Sequence, residues 1–198
     1  MPEHVKEMSF FDHLEELRWR LFRTGAVILL FALLSFTFKG FVFDNIIFAP
    51  TYRNFIAYEY WCMFIQSMGV SKELCLGNLD FTIINTEMAG QFMVHIKIAM
   101  ALGVIIAFPY LVWELWLFIS PGLHIKEVKA SRKAILGSAI LFFVGILFGY
   151  YVLTPFSLDF LSKYNVSNIV ANTFTLTNYI SFISTLVLAS GIMFQLPM

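Results

Sequence analysis

Two carboxylates in this sequence, Glu16 and Glu127, could bind a cation supplied by another molecule. In a helix Glu16 would face Arg20 at position i+4, so an intrahelical ion pair is the simpler interpretation of its charge. Glu127 is the only acid between His124 and Lys133. No strong cation occupies its helical i±3 and i±4 positions, although a flexible lysine could reach it. Such a carboxylate can accept charge-assisted, bidentate hydrogen bonds from a guanidinium.

The other polar and small residues of interest have structural interpretations beside functional ones. Gln195 lies deep in an apolar run, where a buried amide needs partners, and a helix–helix hydrogen bond explains it as well as a functional role does. Cys62 and Cys75 share one long loop, where they could form a disulfide or remain two thiols. Gly145 and Gly149 form a GxxxG motif, which predicts close packing between helices.

The sequence contains no catalytic or metal-binding motif. Its four histidines are scattered, with neither an HExxH motif nor the Cys/His spacing of a zinc site. The nucleophile elbow, the Walker loop and the dinucleotide fingerprint do not occur either. We therefore predict that the protein holds no cofactor and is not an enzyme.

The composition predicts that these residues lie in a membrane protein. The 198 residues are 59% hydrophobic and only 13% charged, whereas a globular protein is about half apolar and a quarter charged. Long apolar stretches are typical of spanning helices, which need about 20 residues. Four such stretches predict an all-α, polytopic membrane fold. The predicted segments are an amphipathic cytoplasmic helix at 1–23, spans at 24–40, 89–113, 134–155 and 179–198, and loops at 41–88, 114–133 and 156–178.

The basic residues predict the orientation of these spans. Loops on the cytoplasmic side carry more Lys and Arg, and eight basic residues against four favour the segments before the first span and after the second. The N-terminus is then cytoplasmic, and the membrane would be the bacterial inner membrane. The chain has 13 basic and 13 acidic residues, so its charge suggests no nucleic-acid partner. The eight basic residues of the two segments assigned to the cytoplasm are Lys6, Arg18, Arg20, Arg23, Lys126, Lys129, Arg132 and Lys133. The four basic residues of the other two loops are Lys39, Arg53, Lys72 and Lys163.

Three further expectations concern the two ends of the chain and its long loop. The apolar residues between 10 and 23 share one side of a helical wheel, which predicts a helix lying on the membrane surface before the first span. The loop 41–88 is expected to form a small ordered cap with a short helix near Tyr52–Gly69. The chain stops inside the fourth apolar run, so we expect an incomplete fourth span and the N-terminal part of a longer protein.

Several motifs, in their order and spacing, resemble the TatC family, the signal-peptide receptor of the twin-arginine protein translocase. The run from His13 to Leu21 matches the family signature HLxELRxRL. The resemblance covers nearly the whole chain apart from 52–85, which is longer than the family's pattern and carries both cysteines. Gln195 stands where many members have a buried glutamate. The other matching motifs are Ala49-Pro50, Ile96-Lys97, Phe108-Pro109, Trp116-Leu-Phe118-Ile-Ser-Pro121-Gly-Leu123, Glu127, Phe148-Gly-Tyr150 before Pro155, Tyr179-Ile-Ser-Phe182 and Phe194-Gln195-Leu-Pro197.

The resemblance implies a function, partners and a site. Members of the family have six transmembrane helices and bind the paired arginines of signal peptides on folded cargo, at the cytoplasmic face. Transport is driven by the proton-motive force, and the glutamine at 195 weakens any proton relay there. The implied partners are subunits of the TatB and TatA type, the lipid bilayer and further copies of the chain. The implied signal-peptide residues are Glu16, Arg18, Phe118 and Glu127, and the implied buried polar or structural residues are Pro50, Pro121, Gln195 and Pro197.

A secondary transporter or channel subunit is the alternative from another functional class. Such a protein would need charged side chains that face a path through the membrane. The apolar centres of the first, third and fourth stretches contain no charge, and Lys97 lies near one end of the second. The receptor function is therefore the favoured interpretation.

Overall fold

The computed structural model describes residues 10–69, 75–77, 81–119, 125–164 and 173–196, and for 10–13 and 125–134 only the backbone is described. Helices dominate this part of the chain, and two short strands accompany them. In chain order the elements are α1 (Phe10–Thr37), α2 (Lys39–Val42), α3 (Ile56–Ser67), β1 (Thr82–Ile84), α4 (Gly90–Ile119), α5 (Ile125–Phe148), α6 (Thr154–Lys163), β2 (Thr173–Thr175) and α7 (Leu176–Met193).

Four of the described helical stretches are long and apolar enough to cross a membrane. Three of them belong to single helices, α1, α4 and α7. The remaining stretch runs from Ile135 to Lys163, because α5 continues into α6 through the π-helical turn Gly149–Leu153. These spans confirm the predicted all-α, polytopic membrane fold.

The N-terminal helix differs from the expectation of a separate surface helix. Instead of turning before the first span, α1 continues as one helix of 28 residues through the predicted junction at 23–24. No proline interrupts it there, and Thr24 directs its hydroxyl to the carbonyl of Arg20 at 3.0 Å, which satisfies this polar group within the helix. The residues expected on the membrane surface therefore lie on the same helix axis as the span.

The GxxxG motif of α5 and its continuation marks the contact with α7, as the sequence predicts. A Cβ at Gly145 would come within 2.9 Å of the Cα of Gly191, and one at Gly149 within 2.9 Å of the Cβ of Ser190. The small residues let the backbones approach closely enough for Ser190 to donate to the carbonyl of Gly145 at 2.8 Å.

Tyrosines bind the irregular turn that follows the first span. The π-helical turn Phe43–Ile47 leads from α2 towards the next segment. Its carbonyl groups accept hydrogen bonds from two distant hydroxyls: Tyr150 donates to Ile46 at 2.6 Å and Tyr179 donates to Ile47 at 2.9 Å. Backbone groups that leave a regular helix need such partners in an apolar interior. The two bonds therefore fix the turn against the third and fourth spans.

Beyond this turn the chain forms a cap, which we define as residues 49–69 and 75–77 together with β1 and β2. Its helix α3 confirms the short helix expected in this loop. Pro50 is buried in a short 3-10 turn, and the hydroxyl of Tyr58 donates to its carbonyl at 2.7 Å. Burial, with the nearby charge of Asp159, raises the pKa of Tyr58, so this phenol stays protonated as a donor. We call this end of the bundle the cap end, and the end with the start of α1 the opposite end.

A disulfide and a strand pairing join the parts of the cap, and a contact with α6 holds the cap on the bundle. Cys62 of α3 is bonded to Cys75, and the backbone N–H of Gly77 lies 3.4 Å from a carboxylate oxygen of Asp159 in α6. The strands β1 and β2 pair in parallel, with Thr82 opposite Thr173. Segments far apart in sequence are thereby held together over the outer ends of the spans.

We expect protein from an oxidising compartment to contain the Cys62–Cys75 bridge. Closing a loop of this size restrains the unfolded chain by ~3 kcal/mol, so replacing both cysteines with serine should destabilise the cap by up to about that amount. The measurement is intact mass after alkylation without reductant, with a reduced sample as the control. Two alkylated thiols in the unreduced sample would contradict the bridge.

Candidate functional site

Four side chains at the opposite end of the bundle form one hydrogen-bonded group, which we call the carboxylate cluster: Glu16, Arg20, Tyr110 and Glu114. Arg20 donates through Nε and Nη2 to Oε1 of Glu16, the first at 3.0 Å. Its Nη1 donates to Oε2 of Glu114 at 3.0 Å. The hydroxyl of Tyr110 donates to the other oxygen of Glu114 at 2.6 Å. One guanidinium thus connects two carboxylates on different helices.

The cluster is assembled from two matched helical pairs. Glu16 and Arg20 are four residues apart on α1, and Tyr110 and Glu114 are four residues apart on α4. Residues at this spacing lie on one face of a helix, one turn apart. Each helix presents its own pair at the same level of the bundle. The polar faces of α1 and α4 therefore meet, and Arg20 and Tyr110 both donate to Glu114.

Burial differs across the cluster. The side chain of Glu114 is 8% exposed, that of Arg20 17% and that of Glu16 28%. Glu114 is satisfied on both oxygens by Arg20 and Tyr110, whereas within the described part of the chain Oε2 of Glu16 has no hydrogen-bond partner. The cluster itself holds two carboxylates and one guanidinium, and Arg23 also acts electrostatically on Tyr110. Glu16, the more exposed of the two carboxylates, is thus the one with an oxygen that has capacity for a further donor.

Arg18 does not join this cluster. It lies 3.6 Å from Glu15, in a pair whose side chains are 72% and 64% exposed, and its guanidinium lies 5.7 Å from the ring of Trp19. Residues two apart on a helix face in different directions, which separates Arg18 from Arg20. An ion pair this exposed contributes about 0–1 kcal/mol.

The next predicted residues lie on either side of the α4–α5 connection. Phe118 is half-buried in the last turn of α4, one turn beyond Glu114. Glu127 lies in the first turn of α5, and its side chain is outside those described. Pro121 lies outside the described residues. Because α4 ends and α5 begins at the same end of the bundle, the backbone of Glu127 belongs to the end that carries the cluster.

Gln195 has the helix–helix hydrogen bonds that were one interpretation of its position. The hydroxyl of Ser138 donates to its Oε1 at 2.7 Å, and its Nε2 donates to the carbonyl of Ser138 at 2.8 Å. This reciprocal pair joins α5 to the turn after α7. Pro197 lies outside the described residues, and Pro50 belongs to the cap.

The sequence interpretation missed Glu114 and Tyr110. In that interpretation Glu114 only marked the end of the second apolar stretch. The apolar residues that follow it, Leu115 and Trp116, are unusual neighbours for an acid that is exposed to solvent. The signal that could have revealed it is a tyrosine one turn earlier on the same helix, which offers the carboxylate a donor. Among the described residues no group of three His, Cys, Asp or Glu side chains could hold a metal ion.

Comparisons with known proteins agree on one family. The profile of the Sec-independent protein translocase protein (TatC) matches residues 12–198. The TatC protein of Blattabacterium sp. subsp. Periplaneta americana is 33% identical over 198 residues, covering 100% of this chain and 74% of that protein. The TatC protein of Aquifex aeolicus is 31% identical over 191 residues, covering 96% of this chain and 70% of that protein.

A solved structure gives the same assignment. The crystal structure of the twin arginine translocase receptor TatC superposes with a TM-score of 0.70 at 31% identity, covering 93% of this chain and 71% of that one. A second structure of that receptor, in the detergent DDM, has a TM-score of 0.69. Sequence profile, relatives and fold all support one conclusion: the chain belongs to the TatC family of Sec-independent protein translocase proteins.

Proposed function

We propose that this chain is a receptor for twin-arginine signal peptides, which it binds at the carboxylate cluster, and that it catalyses no covalent chemistry. The observation that carries the proposal is the bridge from Arg20 to Glu16 and Glu114, because it anchors Glu16 through one oxygen and leaves its second oxygen for an incoming donor. The similar crystal structures are those of a twin arginine translocase receptor, which supports the same function. The transporter or channel alternative has no comparable observation in its favour.

The proposed orientation puts the carboxylate cluster on the cytoplasmic side of the bacterial inner membrane. Its support is the excess of Lys and Arg in the segments that precede the first span and follow the second. Both segments belong to the end of the bundle that carries the cluster. The signal peptide of a cargo protein would then meet Glu16 in the cytoplasm, before any part of the cargo crosses the membrane.

The site would use Arg20 to position Glu16. Because Arg20 bonds one oxygen of Glu16 through two nitrogens, the carboxylate cannot rotate freely, and its second oxygen is held for an incoming donor. A guanidinium of the peptide could bind there, and Glu127 from the first turn of α5 would receive the second one. Guanidinium groups offer several donors in a fixed plane, so they suit two fixed carboxylates better than ammonium groups do.

The implied assembly is part of the same proposal. Subunits of the TatB and TatA type, and further copies of this chain, would pack on the exposed apolar sides of the spans, with transport driven by the proton-motive force. Large apolar side chains that are well exposed on α1, including Leu29, Leu30 and Leu33, are available for lipid or for partner helices.

The orientation predicts which positions an external reagent can reach. Single cysteines at Lys6 or Lys129, in a background with Cys62 and Cys75 replaced by serine, should be protected from an impermeant thiol reagent in intact cells. A cysteine at Lys72 should react, because its loop is expected outside the cytoplasm. Labelling after cell lysis provides the control for each position, and the reverse pattern would invert the proposed site.

The signal-peptide site predicts the effect of removing its carboxylates in the full-length protein. Hydrogen bonds to charged groups are worth about 1.5–3 kcal/mol, so Glu16→Ala and Glu127→Ala should each weaken crosslinking to a twin-arginine peptide by roughly tenfold or more. Glu15→Ala is the matched control on α1, since among the described residues Glu15 pairs with Arg18 alone and that pair is exposed, and it should bind as the wild type does.

A peptide with Lys-Lys in place of Arg-Arg separates recognition from misfolding. This peptide should bind the wild type poorly. Glu16→Ala and Glu127→Ala should then weaken its binding little further, because the interaction that they remove is already lost. Abundance and membrane insertion should stay at the wild-type level. If Glu16→Ala and Glu127→Ala bind the Arg-Arg peptide normally, or weaken both peptides equally, these carboxylates are not the receptor site.

Glu114 should act on the peptide only through Arg20 and Glu16. Glu114→Gln keeps the shape of the side chain but removes its charge. We expect it to weaken peptide binding in the wild type and to cause little further loss of binding in the Glu16→Ala background. The coupling from this double-mutant cycle should be at least about 0.5 kcal/mol, as for residues in one hydrogen-bonded network. Additive losses, with each substitution costing the same in either background, would show that Glu114 contributes separately from Glu16.

A further inference from the structure

Helix α3 presents three different faces. Tyr58 and Ile65 are buried against the rest of the cap, while Glu59 and Gln66 lie exposed on a polar edge. A third face is open and largely apolar: its large side chains, up to Met68 at the C-cap, are 50–66% exposed and recur at the i, i+4, i+7, i+8 spacing of one helix side. Its polar member, Ser67, donates its hydroxyl to the carbonyl of Phe64 at 2.7 Å. We call this face the α3 stripe, which consists of Ile56, Tyr60, Met63, Phe64 and Met68.

Aromatic contacts fix α3 against the outer part of the third span. Phe55, at the start of α3, stacks on Tyr151 with ring centroids 5.7 Å apart. Trp61 packs edge-on against Phe156 with centroids 4.5 Å apart. Since Cys62 is also bonded to Cys75, α3 is held at its start and in its middle. The helix therefore cannot easily rotate the α3 stripe inward.

Helix α3 packs against a part of the third span that is itself apolar and exposed. Val152, Phe156 and Phe160 are exposed apolar residues of the third span, on the segment that α3 packs against. A spanning helix with exposed apolar side chains contacts the hydrocarbon of the bilayer. Trp61 lies where α3 meets this span, and indole rings are favoured at the level of the lipid headgroups.

We propose that α3 lies in the interface of the membrane leaflet at the cap end, with the α3 stripe inserted among phospholipid acyl chains. Each face of the helix then meets the surroundings that its residues suit: protein for Tyr58 and Ile65, lipid for the α3 stripe, and water for Glu59 and Gln66. Helices with this division between apolar and polar sides lie in the plane of the interface. The inference is independent of the signal-peptide site, because it needs only the membrane fold.

Photo-crosslinking from two faces of α3 tests this contact in the membrane-embedded protein. The photoreactive amino acid p-benzoylphenylalanine is placed at Phe64 or Tyr60 on the α3 stripe, and at Gln66 or Glu59 on the polar edge as matched controls. After irradiation of membranes, the intact mass reports adducts. We expect adducts of one phospholipid mass at Phe64 and Tyr60, at least about fivefold more abundant than at Gln66 and Glu59.

Two outcomes of the crosslinking would overturn the proposal. Protein adducts dominating at Phe64 and Tyr60 would show that a partner protein or a second copy covers the α3 stripe. Equal and low lipid labelling at all four positions would show that α3 stands clear of the bilayer. Resistance of Cys62 and Cys75 to alkylation without reductant verifies for each variant that the cap is folded.

A second measurement uses fluorescence, in case the larger photoreactive residue disturbs the cap. Phe64→Trp and Gln66→Trp are compared in vesicles of phosphatidylcholine with brominated acyl chains, and the signal of the parent protein is subtracted. Bromine quenches an indole only at short range, so the added emission at residue 64 should be quenched at least about twofold more than that at residue 66. Equal quenching at both positions would contradict the insertion of the α3 stripe.

Discussion

The antiparallel contact between α1 and α4 aligns the two helices at three levels along their length. Arg20 bonds to Glu114 at the opposite end. In the middle, a Cβ at Gly103 would lie 2.7 Å from the carbonyl oxygen of Ile28, so only glycine permits this approach. Towards the cap, Phe36 stacks on His95 with ring centroids 3.9 Å apart. These three contacts set the register of two spans, and the register in turn decides which polar groups meet.

Sequence alone could predict the fold class but not this register. Long apolar stretches are a local property of the chain, and so is the i,i+4 pair of Glu16 and Arg20, which the structure confirms. The bond from Arg20 to Glu114 joins residues 94 positions apart, and it exists only when α1 and α4 are aligned to within one turn. The continuity of α1 was mispredicted for a related reason: an amphipathic pattern indicates a helix but not whether its axis bends at the membrane surface.

Polar side chains of the spans form hydrogen bonds that connect neighbouring helices of the bundle. Ser138 and Gln195 exchange hydrogen bonds between α5 and the turn after α7, and Lys97 donates to Ser181 between α4 and α7 at 2.7 Å. Each such pair satisfies polar groups of two neighbouring spans and thereby restrains them. Gln195, being neutral and paired on both amide atoms, performs this structural role without a charge.

The burial gradient of the carboxylate cluster decides how a further guanidinium can bind. If it displaced Arg20, Glu114 would remain buried with only the hydroxyl of Tyr110 as a partner, and breaking a buried pair in this way costs about 3–5 kcal/mol. If it instead used the open oxygen of Glu16, Arg20 would keep its bonds to Glu16 and Glu114, and no buried group would lose its partner. The bound state should therefore share Glu16 between two guanidiniums and preserve the α1–α4 register. Recognition at this site then requires no rearrangement of the spans, since the buried half of the cluster stays as it is.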